Sequence, residues 1–486
     1  MHVRTAFAAA ALATVACATN PVTGKSELSL ISESQEIEMG KEAAQQVQQS
    51  IGFYDDPALQ SYVSQIGLKM AHASERPQLP WEFHVVNDAS VNAFALPGGF
   101  IYVTRGLMGA ISNEAELATV VGHEIGHVTN RHTVQQISKQ QLFSLGLGIG
   151  MILKPGLQQF AGLLNSGLQL LFLKYSRDDE SQADKAGFRY ALHGGWDVRQ
   201  MLNMFQVLEG ESQLDSTAGK LPEWASTHPA PEDRIQATEQ RLDTLHADLS
   251  NLTVNREGYL EHIKGIVYGE DPRQGYFQGN AFLHPDLRFQ LTFPNGWQRQ
   301  NTPAAVVAVS PNQDAMIQLQ LAGKVSPEQA AQQFLSQQGI QPGRNASETV
   351  NGLPVTSSYF TAQTQEGQIE GLVSFLSYNN TTYGILGYTG AGNLSQYDQT
   401  FRQTIGSFRP LTDPAAINVQ PARVELVRVN DAMTLKEFDQ RYPSSIPLAE
   451  LAVINGLDGP NGEIRPGRYY KRVVGGIPHT AGPGPR

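Results

Sequence analysis

At 486 residues the chain is too long for one ordinary domain and has material for two or three cores. Its net charge of −11 at pH 7 argues against nucleic acid and against an anionic membrane surface as partners. A single cysteine rules out an internal disulfide.

The first residues read as a targeting segment. Met1-His2-Val3-Arg4 is a short positive region, and Ala6 to Ala16 is a short Ala-rich apolar run. Cys17 stands at the end of that run, which suggests a lipobox with Cys17 lipidated after cleavage. Thr14 sits where a larger aliphatic residue is usual, and cleavage at an Ala-x-Ala signal such as Ala16-Cys17-Ala18 is the rival, giving a soluble periplasmic protein. The lipoprotein reading is preferred. Ala18, not Asp, follows the cysteine, which points to the periplasmic side of the outer membrane. Residues 1–19 are thus a signal peptide with lipobox, and Asn20 to Lys25 a turn-rich tether.

A polar helix is expected over Ser34 to Gln49. Asp56-Pro57 opens a second, with Leu59, Tyr62, Val63, Ile66 and Met70 at helical spacing. Trp81 to Val86 alternates like a strand, and Phe100 to Thr104 is strongly β-forming after Pro97-Gly98-Gly99.

Next comes Val120-Val121-Gly122-His123-Glu124-Ile125-Gly126-His127-Val128. Asn113 with Glu116 fits a capping pair, and Leu117, Val121, Ile125 and Val128 recur at helical spacing. Residues four apart share one helical face, so His123 and His127 can hold one zinc ion from a single turn. Glu124 beside them can take a proton from a water at the metal. Gly122 and Gly126 are poor helix formers and leave room for a close neighbour. Five letters alone also match by chance in a chain this long.

Gln140 to Leu173 is apolar and glycine-rich, but Lys154-Pro155-Gly156 and Asn165 interrupt it, so neither half reaches a membrane span of about 20 residues. A pair of buried helices joining two halves of the metal site is expected, with surface contact to a membrane as the alternative. Ser176 is then a good N-cap and Gly194-Gly195 a helix end. Glu180 and Asp184 between them share a face. One can bind the metal, and the other can accept the second ring N–H of a ligating histidine. By themselves they also read as a solvated acidic first turn.

In this combination the chain resembles the HtpX-like and CAAX-prenyl-endopeptidase-like zinc metalloproteases of the gluzincin type, in their bacterial periplasmic lipoprotein form. H-E-x-x-H is paired with E-x-x-x-D at Glu180 and Asp184. Asn92-Ala93-Phe94-Ala95-Leu96-Pro97-Gly98-Gly99-Phe100 matches a second motif, and His228-Pro229 with Arg234-Ile235 a third. The resemblance covers roughly residues 20 to 275. It implies one Zn2+ per chain held by His123, His127 and Glu180, with Glu124 as general base and Asp184 behind a ligand. It also implies that Phe100 to Thr104 borders the cleft, where an exposed edge could pair with an extended peptide. Asn92, Ala95, Gly98 and Gly99 would then meet the substrate, although Gly98-Gly99 also reads as a plain tight turn. His228 would cap the zinc in a resting state or stabilise the oxyanion, and Arg234 would add positive charge there.

Past residue 275 the composition shifts. Strands are expected at Phe289 to Phe293, Ala304 to Ser310, Ala315 to Leu321, Val355 to Thr361, Gly371 to Tyr378 and Thr382 to Thr389. Helices are expected at Pro327 to Gln338 and Leu394 to Ile405. Residues 276–412 resemble the α+β sandwich of PsbP-like and Mog-like domains, with docking as the default role. A linker follows at 413–422, then a LysM-like module at 423–475, and a disordered tail at 476–486. LysM modules bind N-acetylglucosamine glycans; a packing module that binds no sugar is the alternative.

The fold class expected is α+β multidomain: a mainly helical zincin catalytic domain with a small sheet over 20–275, the sandwich, then the small module. The function expected is a zinc endopeptidase of the cell envelope that cleaves extended, misfolded or misassembled envelope proteins. It would be membrane-bound through a lipid anchor, with peptidoglycan as a further partner and no nucleic acid. The rivals are a gated chaperone or assembly factor for outer-membrane proteins, and a peptidoglycan-tethered scaffold.

Overall fold

The computed structural model describes residues 17–147, 173–217, 224, 225, 228, 232–302, 304–364 and 367–477. The signal-like run before Cys17, most of the apolar stretch from Gln140 to Leu173 and the tail from 478 lie outside the described residues. The chain forms two compact units, Met1–Glu270 with Ala422–Gly475, and Asp271–Pro421 with Gly476–Arg486.

The first unit opens with the short pair β1 (Cys17–Thr19) and β2 (Ser26–Leu28). Helix α1 (Glu33–Ser50) starts at a capping box between Ser32 and Gln35. Helix α2 (Pro57–Ala71) has Pro57 in its first turn and Asp56 as N-cap, and buries Leu59, Val63, Ile66 and Met70 on one face. A three-stranded sheet follows, of β3 (Glu82–Val86), β4 (Ala93–Leu96) and β5 (Phe100–Thr104), in the order β3-β5-β4. The expected exposed edge on Phe100 to Thr104 is therefore corrected. β5 is the middle strand, parallel to β3 and antiparallel to β4. The reason is its composition: all five of its residues are buried, and such a strand is stable only when both sides are paired and both faces covered. The unpaired edge toward the cleft belongs to β4.

Helices α3 (Arg105–Ala110) and α4 (Glu114–Thr129) come next, then α5 (His132–Leu147), α6 (Arg177–His193), α7 (Gln200–Thr217), α8 (Glu232–Asp243) and α9 (Arg256–Ile263). α4 is buried all round from Ala115 to Thr129. Its Leu117, Val121 and Ile125 join the main core with Val63, Ile101, Phe188 and Phe205. Each such side chain contributes roughly 1.5–3 kcal/mol when fully buried. α4 and α6 meet at small residues. A Cβ on Gly122 would stand 3.0 Å from the Gly187 carbonyl oxygen, and one on Gly126 2.8 Å from that of Ala183.

Strand Arg423–Arg428 pairs antiparallel with Tyr469–Val474, and helices Leu435–Arg441 and Leu448–Ile454 lie between them in sequence. The Lys471 side chain, fully buried, donates to the carbonyls of Gly109, Ala110 and Ile111 at 3.0, 2.9 and 2.7 Å. Burial pulls its pKa down to about 7.

The second unit has a seven-stranded antiparallel sheet and a four-stranded one. Its longer helices are Pro327–Leu335 and Leu394–Gly406. A long strand, Ile340–Val350, forms where the sequence reading places no element; its register shifts between Pro342 and Asn345. Among the described residues no helix is long and apolar enough to cross a membrane.

Candidate metal centre

α4 begins with Asn113 as N-cap: its Oδ1 accepts from the Glu116 backbone N–H at 2.9 Å. Two turns on, His123 and His127 stand on one face with their Nε2 atoms 3.0 Å apart. α6 begins at a capping box between Ser176 and Asp179, and its first turns carry Glu180 and Asp184. The close approach of the two helices brings Glu180 up to the imidazoles. Its Oε2 lies 3.6 Å from His123 Nε2 and its Oε1 3.5 Å from His127 Nε2. His228, four residues ahead of α8, has its Nδ1 2.7 Å from Glu180 Oε1. One ligand atom from each of His123, His127, Glu180 and His228 lies within 4.8 Å of the others, and all four residues are buried.

Asp184 occupies the other side of His123, with Oδ1 2.8 Å from Nδ1. Arg234 holds that carboxylate with a two-pronged grip, Nε to Oδ2 at 2.8 Å and Nη2 to Oδ1 at 2.7 Å. Its Nη1 is 3.1 Å from Glu180 Oε2. Tyr175 stacks on the His127 ring at 3.9 Å between centroids.

The electrostatics follow from burial and from these contacts. Burial pushes the Glu124 carboxyl above the usual carboxylate range, against the pull of His123 and His228. Burial drives His127 well below the usual histidine range, which keeps it neutral. Burial would raise Glu180, but His228, His127 and Arg234 hold it well below its ordinary value. Asp184 is likewise held low by Arg234 and His123. The donor set of imidazole nitrogens and a carboxylate oxygen is the one zinc takes. Glu180 Oε2 is buried and, beyond its ion pair with Arg234, is left to face the His123 ring. The residues present therefore fit zinc.

Residues 57–242 match the model described as Peptidase family M48. Over that stretch the chain is similar to M48-family peptidases, a likeness that supports a zinc metalloprotease. Among curated relatives, the Beta-barrel assembly-enhancing protease of Yersinia pestis is 31% identical over 263 residues, covering 52% of this chain and 52% of the relative. The protein of the same name from Escherichia coli (strain K12) is 29% identical over 237 residues, covering 47% and 48%. The Mitochondrial metalloendopeptidase OMA1 of Arabidopsis thaliana is 36% identical over 176 residues, covering 35% and 34%. The chain spans about half the length of the two bacterial relatives.

Beside the candidate metal cluster the first unit opens a cleft lined by Asn92, Ala93, Leu107, Val120, His123, Glu124, Met204, Leu208, Trp224, His228 and Arg234. Of the residues expected to meet substrate, Asn92 is in this lining; Ala95, Gly98 and Gly99 are not. Gly98 and Gly99 have φ of +80° and +107° and make the β4–β5 turn. A Cβ on Gly98 would stand 2.7 Å from the Ile37 Cα, so glycine is required there for a packing reason. Cys17 lies in β1, opposite Leu28.

Sequence spacing does not single out Met204, Leu208 or Trp224, which supply an apolar wall of the cleft, because their helical pattern is that of any core helix. Nor does it single out His132, which is buried with Nδ1 3.0 Å from His127 Nδ1. Helical periodicity ends at Asn130, and the φ of +60° at Arg131 turns the chain back.

Proposed function

We propose that this chain is a zinc-dependent endopeptidase of the bacterial cell envelope, acting on extended or misfolded envelope proteins. The observation that carries the reading is the buried cluster of His123, His127, Glu180 and His228 opening on a cleft that also holds Glu124. His123, His127 and Glu180 would hold the ion. When bound, zinc supplies Lewis-acid chemistry, making water acidic and polarising a carbonyl. Glu124 takes the proton of the attacking water and delivers it to the leaving amine. Its raised pKa suits both halves of that transfer. Asp184 orients His123, and Arg234 orients Asp184. The free edge of β4, next to Asn92 and Ala93, would align an extended peptide through its backbone, so that recognition depends little on sequence.

His228 fills a place beside Glu180 that substrate or water would need, which favours a capped resting state with low basal activity. The relatives named for β-barrel assembly support an envelope location, which Cys17 would provide on the periplasmic side of the outer membrane as a lipid anchor. Residues 423–475 would serve as the LysM-like docking module. The test is cleavage of an unfolded protein such as reduced casein by the purified chain, with and without a chelator. Chelator-sensitive cleavage restored by zinc is expected; cleavage untouched by metal removal would overturn the reading.

A further inference from the structure

We propose that His132 is a positioning residue for His127: it accepts the Nδ1–H of that ring and so fixes the tautomer that turns Nε2 toward the metal. This rests on the reading of His123, His127 and Glu180 as zinc ligands.

A ligating imidazole binds through the lone pair of one nitrogen and carries its hydrogen on the other. His127 Nε2 faces His123 Nε2 and Glu180. Its hydrogen must then sit on Nδ1, and the atom 3.0 Å from that nitrogen is His132 Nδ1. Only one hydrogen fits between two ring nitrogens at that distance. His132 Nδ1 is therefore the bare, accepting side, and the His132 hydrogen sits on Nε2. The surroundings favour that arrangement. Asp179 Oδ1 is 3.9 Å from His132 Nε2, too far to accept a hydrogen bond, so its negative charge favours a hydrogen there only through electrostatic attraction. Asp179 cannot swing away, because its Oδ2 accepts from the Ser176 N–H, the Ser176 hydroxyl and Gln136 Nε2 at 2.9, 2.7 and 3.0 Å.

The backbone is shaped to deliver this contact. In a continued helix a residue five places on would stand about 140° round the axis from His127. Arg131, with its φ of +60°, breaks α4 and returns His132 to the same side. Arg131 is itself tied down, with Nε donating to Glu36 Oε2 at 2.9 Å and Nη2 to the Ile31 carbonyl at 2.8 Å. Each ligating histidine thus has its own acceptor behind it: a carboxylate for His123 and a neutral imidazole for His127.

The test compares zinc affinity of the full chain with that of His132→Leu and His132→Asn, by competition against a chelating dye. Melting of the zinc-free forms is followed alongside. His132→Leu should bind zinc about 10–100-fold more weakly, the loss typical when a partner behind a ligand is removed. His132→Asn, whose Oδ1 can stand where Nδ1 stood, should recover most of it. Equal affinity in all three chains overturns the proposal, and so do equal losses in both variants, which would assign the effect to packing. A further measurement needs no substitution: 15N spectra of histidine in the zinc-loaded parent should show His132 as the Nε2–H tautomer. A hydrogen on His132 Nδ1 overturns the proposal whatever the variants do. A parent chain that binds no zinc overturns the metal reading itself, and the parent titration alone reveals that case.

Discussion

Replacing Gly187 by alanine sets two effects of known size against each other. In the middle of α6, alanine is the better helix former by about 1 kcal/mol. The new Cβ, however, would stand 2.6 Å from the His123 nitrogen and 2.9 Å from the Gly122 carbonyl carbon and the His123 Cα. Ordinary contacts begin near 3.4 Å, so the shortfall is about 0.8 Å. The opposing atoms are mid-helix backbone and cannot swing aside, so α4 and α6 must part by several tenths of an ångström. Overpacking of this kind costs ~1–3 kcal/mol, which outweighs the propensity gain and leaves a net loss of about 1 kcal/mol. The same parting moves Glu180 and Asp184 away from His123 and His127. Metal sites tolerate about 0.2 Å in ligand distance. Zinc affinity should therefore fall at least tenfold, about 1.4 kcal/mol. Chelator competition gives the affinity, and melting of the zinc-free chain gives the stability. A Gly187→Ala chain that melts higher than the parent and binds zinc as tightly would refute the reasoning.

Glu124→Gln removes no ligand and should keep about one zinc per chain while slowing peptide hydrolysis at least 10²–10⁴-fold; full turnover in the variant would remove Glu124 from the base role. Asp184→Ala should weaken zinc about 10–100-fold, and an unchanged competition titration would reduce that carboxylate to a packing role. His228→Ala should raise basal cleavage of an unfolded substrate if the residue caps the site; a rate lower by about 10²–10³ would instead mark it as an oxyanion group. Cys17→Ala should release the protein from membranes on fractionation, and a variant that still pellets after a high-salt wash would rule out the anchor.

Local chemistry made the helices that carry the candidate ligands readable. Asn113 and Ser176 are strong caps, and histidines or carboxylates four apart must share a face whatever the rest of the chain does. Gly122 and Gly126 signalled a close neighbour because nothing else accounts for two poor helix formers in a buried helix. What escaped depends on contacts distant in sequence. Phe100 to Thr104 reads as a strand, but whether it is central or at an edge is decided by β3 and β4 together. Ile340–Val350 forms against the pull of Pro342 and Gly343 because a neighbouring strand supplies its partners. His132 acts through a turn that no periodicity describes, and Lys471 looks like any solvated strand lysine until its carbonyl partners are known.

The lysine sets an order of events. Gly109, Ala110 and Ile111 lie just ahead of the helix that carries His123 and His127, and their carbonyls point at a residue about 360 positions later in the chain. That ammonium is made some 360 residues after the carbonyls that receive it. Without it the approach to the helix that carries His123 and His127 is left with three inward carbonyls and the buried Glu116 lacking the nearby positive charge of Lys471. The first unit would thus be completed by a residue far along the chain from His123 and His127. A chain cut between the two partners would leave those carbonyls without the lysine that joins them.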